Sequence, residues 1–353
     1  VPEHLDQREP CPTLPDSLPF EPGAWFGERF AIAPAGDALL LPINPQVAEL
    51  WVLTDDGCGF ERRDEIRRFE GGRLGLPRAS GRTASSYDGH LHWADARQRN
   101  HRSASIGGVT LRPGTLSWLG DDLLASPANL DFVAALDTGL PEPAPAEPIE
   151  LPTPRDAVVF VRLPSGPDAE LTLALIPVDA LVVGDASQVH LRAVFPITAP
   201  TPTIAAYVDA PDGLQLIRAS LEPEGPAWRT RSAVDEDLSV AVEAGRAAVR
   251  TELLARELPL DAHDLTVSPT GTHAAWAQPV GDTQTDSLHD SLEIFVLALA
   301  SAGAEPVRMT DNRRRDGQPI FAGREGRLLL FTSGYRLTDF VDEIESLRAL
   351  PIR

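Results

Sequence analysis

Glu293-Ile294-Phe295-Val296-Leu297, then the turn Ala302-Gly303-Ala304, then Pro306-Val307-Arg308-Met309-Thr310-Asp311-Asn312, Gln318-Pro319-Ile320-Phe321 and Gly326-Arg327-Leu328-Leu329-Leu330-Phe331: this stretch decides the fold. Short apolar runs bounded by Gly, Pro and Asp read as β-strands. The same texture extends outward over the chain, in Ala38-Leu39-Leu40-Leu41, Glu49-Leu50-Trp51-Val52-Leu53, Leu91-His92-Trp93-Ala94, Ala157-Val158-Val159-Phe160-Val161 and Leu171-Thr172-Leu173-Ala174-Leu175. Helical periodicity is scarce. The best window, Leu238 to Leu258, mixes both periods. Leu238, Val240 and Val242 share a face at period 2, whereas Val249, Leu253 and Leu254 would also share a helix face. The window reads as two strands separated near Gly245, with a helix in its second part as the alternative.

The turns repeat as well. Ser268-Pro269-Thr270-Gly271 precedes the run Ala274-Ala275-Trp276-Ala277, Ala33-Pro34-Ala35-Gly36-Asp37 precedes Leu39-Leu40-Leu41, and Ala210-Pro211-Asp212-Gly213 is a fainter copy. Pro presets φ at such a turn, Thr or Asp caps the local backbone, and Gly takes φ > 0. With the strands around them, these turns resemble the TolB-type β-propeller repeat, in which a Pro-x-x-Ser-Pro-Asp-Gly turn leads to an apolar strand closing in Phe. The likeness is good over residues 25–70 and 260–333 and poor over 100–200. It departs from the pattern where Thr270 and Ala35 replace Asp. Ala322-Gly323-Arg324-Glu325-Gly326 has one extra residue and no Pro.

Short strands over more than 300 residues need an architecture that protects sheet edges, and radial repetition does so. Residues 1–24 form a Pro-rich arm. Residues 25–353 divide into about seven units of the ~45-residue blade length. The expected fold is therefore all-β: a single β-propeller of four-stranded antiparallel sheets, seven blades preferred to six. Residues 140–154, with six prolines (Pro141, Pro143, Pro145, Pro148, Pro152, Pro154), form a linker or an extended connection between blades.

The chain has 353 residues, with 31 basic against 52 acidic and a net charge of −21. All the basic residues are Arg, which excludes a P-loop lysine, a Schiff-base lysine and a Ser-Lys dyad. The acidic balance disfavours nucleic acid and anionic membranes as partners. No run approaches the ~18–20 apolar residues of a membrane span. The chain starts at Val1 and its only Met is Met309, which reads as a processed or trimmed N-terminus. Two cysteines, Cys11 in the arm and Cys58 in the turn Asp55-Asp56-Gly57-Cys58-Gly59, fit one disulfide and a periplasmic or extracellular setting. Two free buried thiols in a cytosolic protein are the alternative.

No Gly-x-Ser-x-Gly, His-Glu-x-x-His, Cys-x-x-Cys or Gly-x-Gly-x-x-Gly motif occurs. His90 and His92 share a strand face near His101, which would suit a metal only if a third ligand converged; an exposed hairpin face explains them without one. Asp282, Asp286, His289 and Asp290 offer hard ligands at the spacing of no standard Ca²⁺ loop. No cofactor or metal is therefore expected. Arg62-Arg63 and Arg67-Arg68 flank Asp64-Glu65 and read as self-neutralised. Arg313-Arg314-Arg315-Asp316 is different. In the repeat that the chain resembles, this loop leads from an outer to an innermost strand near the channel mouth, and His263-Asp264 occupies the same loop one blade earlier. Adjacent guanidinium groups in so acidic a protein suit carboxylates; solvated arginines balancing nearby acids are the alternative. These six residues form the expected partner site of an exported, non-catalytic module that binds a protein or acidic peptide, or that serves within a surface assembly. The enzyme alternative is a metal-assisted hydrolase or lyase with its site in the central channel.

Overall fold

The structure, a computed structural model, describes residues 31–33, 36–44, 47–54, 60–67, 82–87, 90–95, 101–106, 109–112, 116–130, 155–164, 170–182, 188–230, 244–280, 291–299, 303–312, 314–338 and 341–352. The arm, both cysteines, the Pro-rich segment, Leu238 to Val242, Asp282 to Asp290 and Arg313 lie outside them. The described residues are nearly all β, in antiparallel sheets with almost no helix. None of their helices is long and apolar enough to cross a membrane. The chain separates into two compact units, one of Val1–Glu70, Arg78–Ser80 and Pro259–Arg353, the other of Gly71–Pro77 and Gly81–Leu258.

The first unit opens with the meander β1 (Ala31–Ile32), β2 (Ala38–Asn44), β3 (Val47–Leu53) and β4 (Phe60–Arg67). The second unit follows. Strands β5 (Arg82–Tyr87), β6 (His90–Asp95) and β7 (Arg102–Ser105) form a three-stranded meander. Short strands β8 (Val109–Leu111) and β9 (Ser117–Trp118) flank β10 (Leu123–Leu130), which pairs with β11 (Arg155–Arg162) and through it with β12 (Thr172–Pro177). The next meander is β13 (His190–Ile197), β14 (Thr203–Ala210) and β15 (Gly213–Leu221). The strand β16 (Arg229–Thr230) then closes on β12, and β17 (Val249–Leu258) completes the meander on β15. Back in the first unit come β18 (His263–Val267), β19 (His273–Val280), β20 (Ser291–Ala298) and β21 (Val307–Arg308), then β22 (Arg315–Ala322), β23 (Leu328–Thr338) and β24 (Val341–Pro351). One parallel pair, Leu292 with Arg315, joins these last two meanders into one sheet.

Why the apolar runs do not alternate is clear from the faces they cover. Successive residues of a strand point to opposite sides. In β11, Ala157, Val159 and Val161 enter one core, which they share with Ala84, Leu91 and Trp93 of the preceding meander. Val158 and Phe160 enter another, shared with Val194, Ile204 and Val208 of the following one. The sheet is thus sandwiched, and both faces need apolar side chains. The first unit repeats the scheme. Leu329 and Phe331 of β23 pack with Ala275 and Ile294, while Leu328 and Leu330 pack with Leu39, Leu41 and Trp51 of the first meander. Each fully buried Leu, Val or Phe contributes about 1.5–3 kcal/mol, so these double-faced strands carry much of the stability.

The turns anticipated from sequence form as turns. Gly36 N–H donates to Ala33 O and Gly271 N–H to Ser268 O, each at 2.8 Å. Both glycines have positive φ, +72° and +68°, which a side-chained residue adopts only under strain. The five-residue variant closes with Gly326 N–H on Gly323 O at 3.2 Å and accommodates its extra residue by a left-handed Glu325 at φ 61°. In the mixed window, residues 244–248 make one helical turn and Val249–Leu258 is strand, not helix.

Candidate functional site

Two places gather chemistry, one in each unit. In the first unit, β22 begins at the arginine-rich turn. Glu293 at the head of β20 is fully buried. Its carboxylate accepts from Thr310 Oγ1 at 2.5 Å and from Asn312 N–H at 3.0 Å, with Arg308 Nη2 at 3.2 Å. Asn312 then bridges the turn: its side-chain Oδ1 accepts from Arg314 N–H at 2.7 Å, and its Nδ2 donates to Asp316 Oδ2 at 2.8 Å. Ser333 Oγ donates to the other oxygen of Asp316 at 2.6 Å. Asp264 Oδ2 accepts from Gln318 N–H at 3.3 Å, so the starts of β18 and β22 lie together. Both residues of that contact are left-handed, Asp264 at φ 52° and Gln318 at φ 47°.

The sequence expectation named six residues here. The structure brings Asp264 and the Arg314–Gln318 segment together and leaves His263 exposed at the start of β18. Arg314 and Arg315 are half-buried. Asp316 is fully buried and both its oxygens are engaged, so its role lies inside the fold. Glu293 escaped sequence reasoning; a glutamate heading an apolar strand reads as an exposed edge.

In the second unit, Arg112, just after β8, and Asp156 of β11 together hold one residue of β13. Leu191 N–H donates to Asp156 Oδ2 at 2.8 Å, and Leu191 O accepts from Arg112 Nη1. Arg112 Nη2 donates to Asp156 Oδ1 and, at 3.3 Å, to Asn129 Oδ1. The β13–β14 register shifts between Leu191 and Ala193, and this clamp satisfies the backbone at the irregularity. Ser117 Oγ donates to Val194 O at 3.0 Å and fastens the same strand further along. Leu191 is buried, whereas His190 and Arg192 on either side of it are exposed. His190 Nδ1 lies 3.8 Å from Asp156 Oδ2, and Arg192 Nη2 lies 2.5 Å from Asp209 Oδ2. The bond to Asp209 holds the guanidinium charge above its ordinary range, and burial raises the neighbouring Tyr207 hydroxyl. These side chains line an open cleft of about 700 Å³. Nothing in the sequence draws Arg112, Asp156 and His190 together; the packing of the β10–β11 sheet against the β13–β14 sheet does.

The other expectations fall as follows. Arg62 pairs with Glu49 at 2.8 Å and with Glu65, and Arg63 with Glu61 at 2.5 Å, a self-neutralised strand surface. The rings of His90, His92 and His101 stand in a row, 6.2 and 5.5 Å apart between centroids, the second pair stacked. Among the described residues no three His, Cys, Asp or Glu side chains are grouped so as to hold a metal ion.

No protein-family model matches this chain, and no curated protein sequence matches it. Among solved structures it is similar to the AtxE2 isopeptidase in its apo form, at 11% identity and a TM-score of 0.35. It is also similar to cobalt-substituted Synechocystis ACO, at 14% and 0.39, and to the tricorn protease, at 13% and 0.28. The matches cover 94%, 87% and 81% of this chain. The chain spans 51% of the isopeptidase, 66% of the ACO chain and 30% of the tricorn protease. At these scores the likenesses assign neither an activity nor a partner to this protein.

Proposed function

We propose that the protein is an exported β-propeller that acts as a binding or scaffold module, taking an acidic peptide or partner loop on the turn Arg313-Arg314-Arg315 beside His263 and Asp264. Stacking of meanders within each unit, β5–β7 on β10–β12 on β13–β15 in the second and β18–β20 on β22–β24 on β2–β3 in the first, supports the reading of these sheets as blades. Six meanders are traced among the described residues; a seventh blade would have to come from residues outside them. A Cys11–Cys58 bridge belongs to the same reading, since export is the setting in which it persists.

The observation that carries the binding assignment is the anchoring of the turn. Asn312, Asp316 and Ser333 fix it from below through bonds of 2.6–2.8 Å. A turn whose backbone is held this way has less left to order on binding, which is where preorganisation gains affinity. The surrounding charge of −21 opposes an acidic ligand, so specific Arg–carboxylate forks have to supply the attraction. Such bonds are worth about 1.5–3 kcal/mol when desolvated and roughly 0.2–1 when exposed.

The test uses the full chain and a fluorescent oligoglutamate peptide, followed by anisotropy. Replacing Arg313, Arg314 and Arg315 together by Ser should weaken binding at least tenfold, about 1.4 kcal/mol, with thermal unfolding unchanged. Equal binding by the triple variant, or no binding by the parent, rejects the assignment.

A further inference from the structure

The cleft belongs to the second unit and the arginine turn to the first, and the chemistry of the cleft is of a different kind. Two features decide what it would take. The first is rigidity. Because Leu191 is held by both its N–H and its C=O, β13 cannot slide or roll there, and His190 and Arg192 project from a fixed strand. The second is the order of exposure. The His190 side chain is 73% exposed and Arg192 49%, whereas Asp156 is only 13% exposed with both oxygens engaged. Arg112 is 28% exposed, but its guanidinium is engaged by Leu191 O, Asn129 and Asp156, so it serves the fold. What solvent meets first in the cleft is therefore an imidazole, 3.8 Å from the Asp156 carboxylate, and a guanidinium that the Asp209 carboxylate orients.

Arg192 gives one Nη2 hydrogen to Asp209. A guanidinium carries five donors in a planar fork, so an edge remains for a second two-oxygen acceptor. Asp209, partly exposed at the far side, offers an acceptor for a ligand hydroxyl or amide. A volume of about 700 Å³ lies within the size range of small-molecule sites, and every lining residue except Leu191 is polar or charged.

We infer that this cleft is a binding site for a small, polar carboxylate, with Arg192 taking the carboxylate bidentately, His190 donating beside it and Asp209 accepting from a neutral polar group of the ligand. The Arg112–Asp156–Leu191 clamp is the positioning device. The site is independent of the arginine turn, and either can be wrong without the other.

Citrate is the probe, with its neutral triamide as the comparator, measured by calorimetry and by NMR of the His190 ring. Saturable binding of one citrate per chain should appear, with the ring resonances moving at the same concentrations and the triamide silent. Arg192→Gln should weaken it at least tenfold, Arg192→Lys several-fold because the charge stays and the fork is lost, and His190→Gln by a smaller factor. The triple Ser variant of the arginine turn should bind citrate as the parent does, which separates this site from the other. Unaltered binding in Arg192→Gln overturns the inference, as does the absence of saturation by ~10 mM.

Discussion

Gly245 offers a sharp test of the packing. It sits in the helical turn at 244–248, immediately before β17. A Cβ built on it would lie 1.8 Å from the carbonyl oxygen of Leu175 and 2.9 Å from the carbonyl carbon, where real Cβ contacts stay beyond 3.0 Å. Relief needs a shift of 3.0 − 1.8 = 1.2 Å. Both partners are backbone, and Leu175 is fully buried in β12, paired with Val159. Neither can rotate away. Overpacking costs about 1–3 kcal/mol, and a collision between main chains belongs at or above the top of that range. Alanine gains about 1 kcal/mol over glycine in a helical segment. The net expectation for Gly245→Ala is a loss of about 2 kcal/mol, or roughly 4–8 °C in midpoint for a unit of this size. Urea and thermal unfolding of the full chain read it. Gly120→Ala is the control: nothing lies within 4 Å of its Cβ, and it should stay within about 0.5 kcal/mol. A Gly245→Ala protein as stable as the parent would show that the turn does not press on β12.

Two further expectations concern titration and redox state. Burial lowers the pKa of His273 below its ordinary 6.5. The unfolded chain then binds this proton first as pH falls, so the stability owed to the neutral ring is present above about 6.5 and is lost as pH drops through the lowered folded value. Part of the fall in midpoint below neutral pH should therefore vanish in His273→Gln, and parallel pH profiles for the two proteins would refute it. A thiol assay on denatured, unreduced protein should count no free thiol if Cys11 and Cys58 are bridged; two thiols would remove the bridge and with it the main argument for export.

The all-β class was legible because turn chemistry and run length are local. Ser268 to Gly271 forms its turn from residues that touch one another, and the run Ala157 to Val161 is too short and too evenly apolar for an amphipathic helix. Its lack of alternation also has a physical meaning, a sheet covered on both faces. The arginine turn was legible as a concentration of charge, but the burial of Asp316 was not, since an aspartate after three arginines looks like surface. The carboxylate-facing cleft was illegible for a deeper reason. Arg112 and Leu191 are 79 positions apart, and Asp156 and Leu191 35. Only the register of β8, β10 and β11, and the packing of their sheet against that of β13, makes them neighbours, and no local pattern encodes it.

The first unit is assembled from both ends of the chain: Gly323 N–H donates to Gly36 O at 2.8 Å, and the strands before Arg67 share a core with those after Arg315. The second unit is almost continuous in sequence. On a ribosome this imposes an order. The segment from Gly81 to Leu258 can collapse as soon as it emerges, whereas β2 and β3, with Leu39, Leu41 and Trp51, must wait for core partners such as Ala322 and Leu328, about 280 residues downstream. At about 5–20 residues per second that delay is roughly 14–56 s. For that time an apolar hairpin stands without its covering sheet, and whatever shields it during synthesis matters as much to the yield of this protein as the stability of the finished fold.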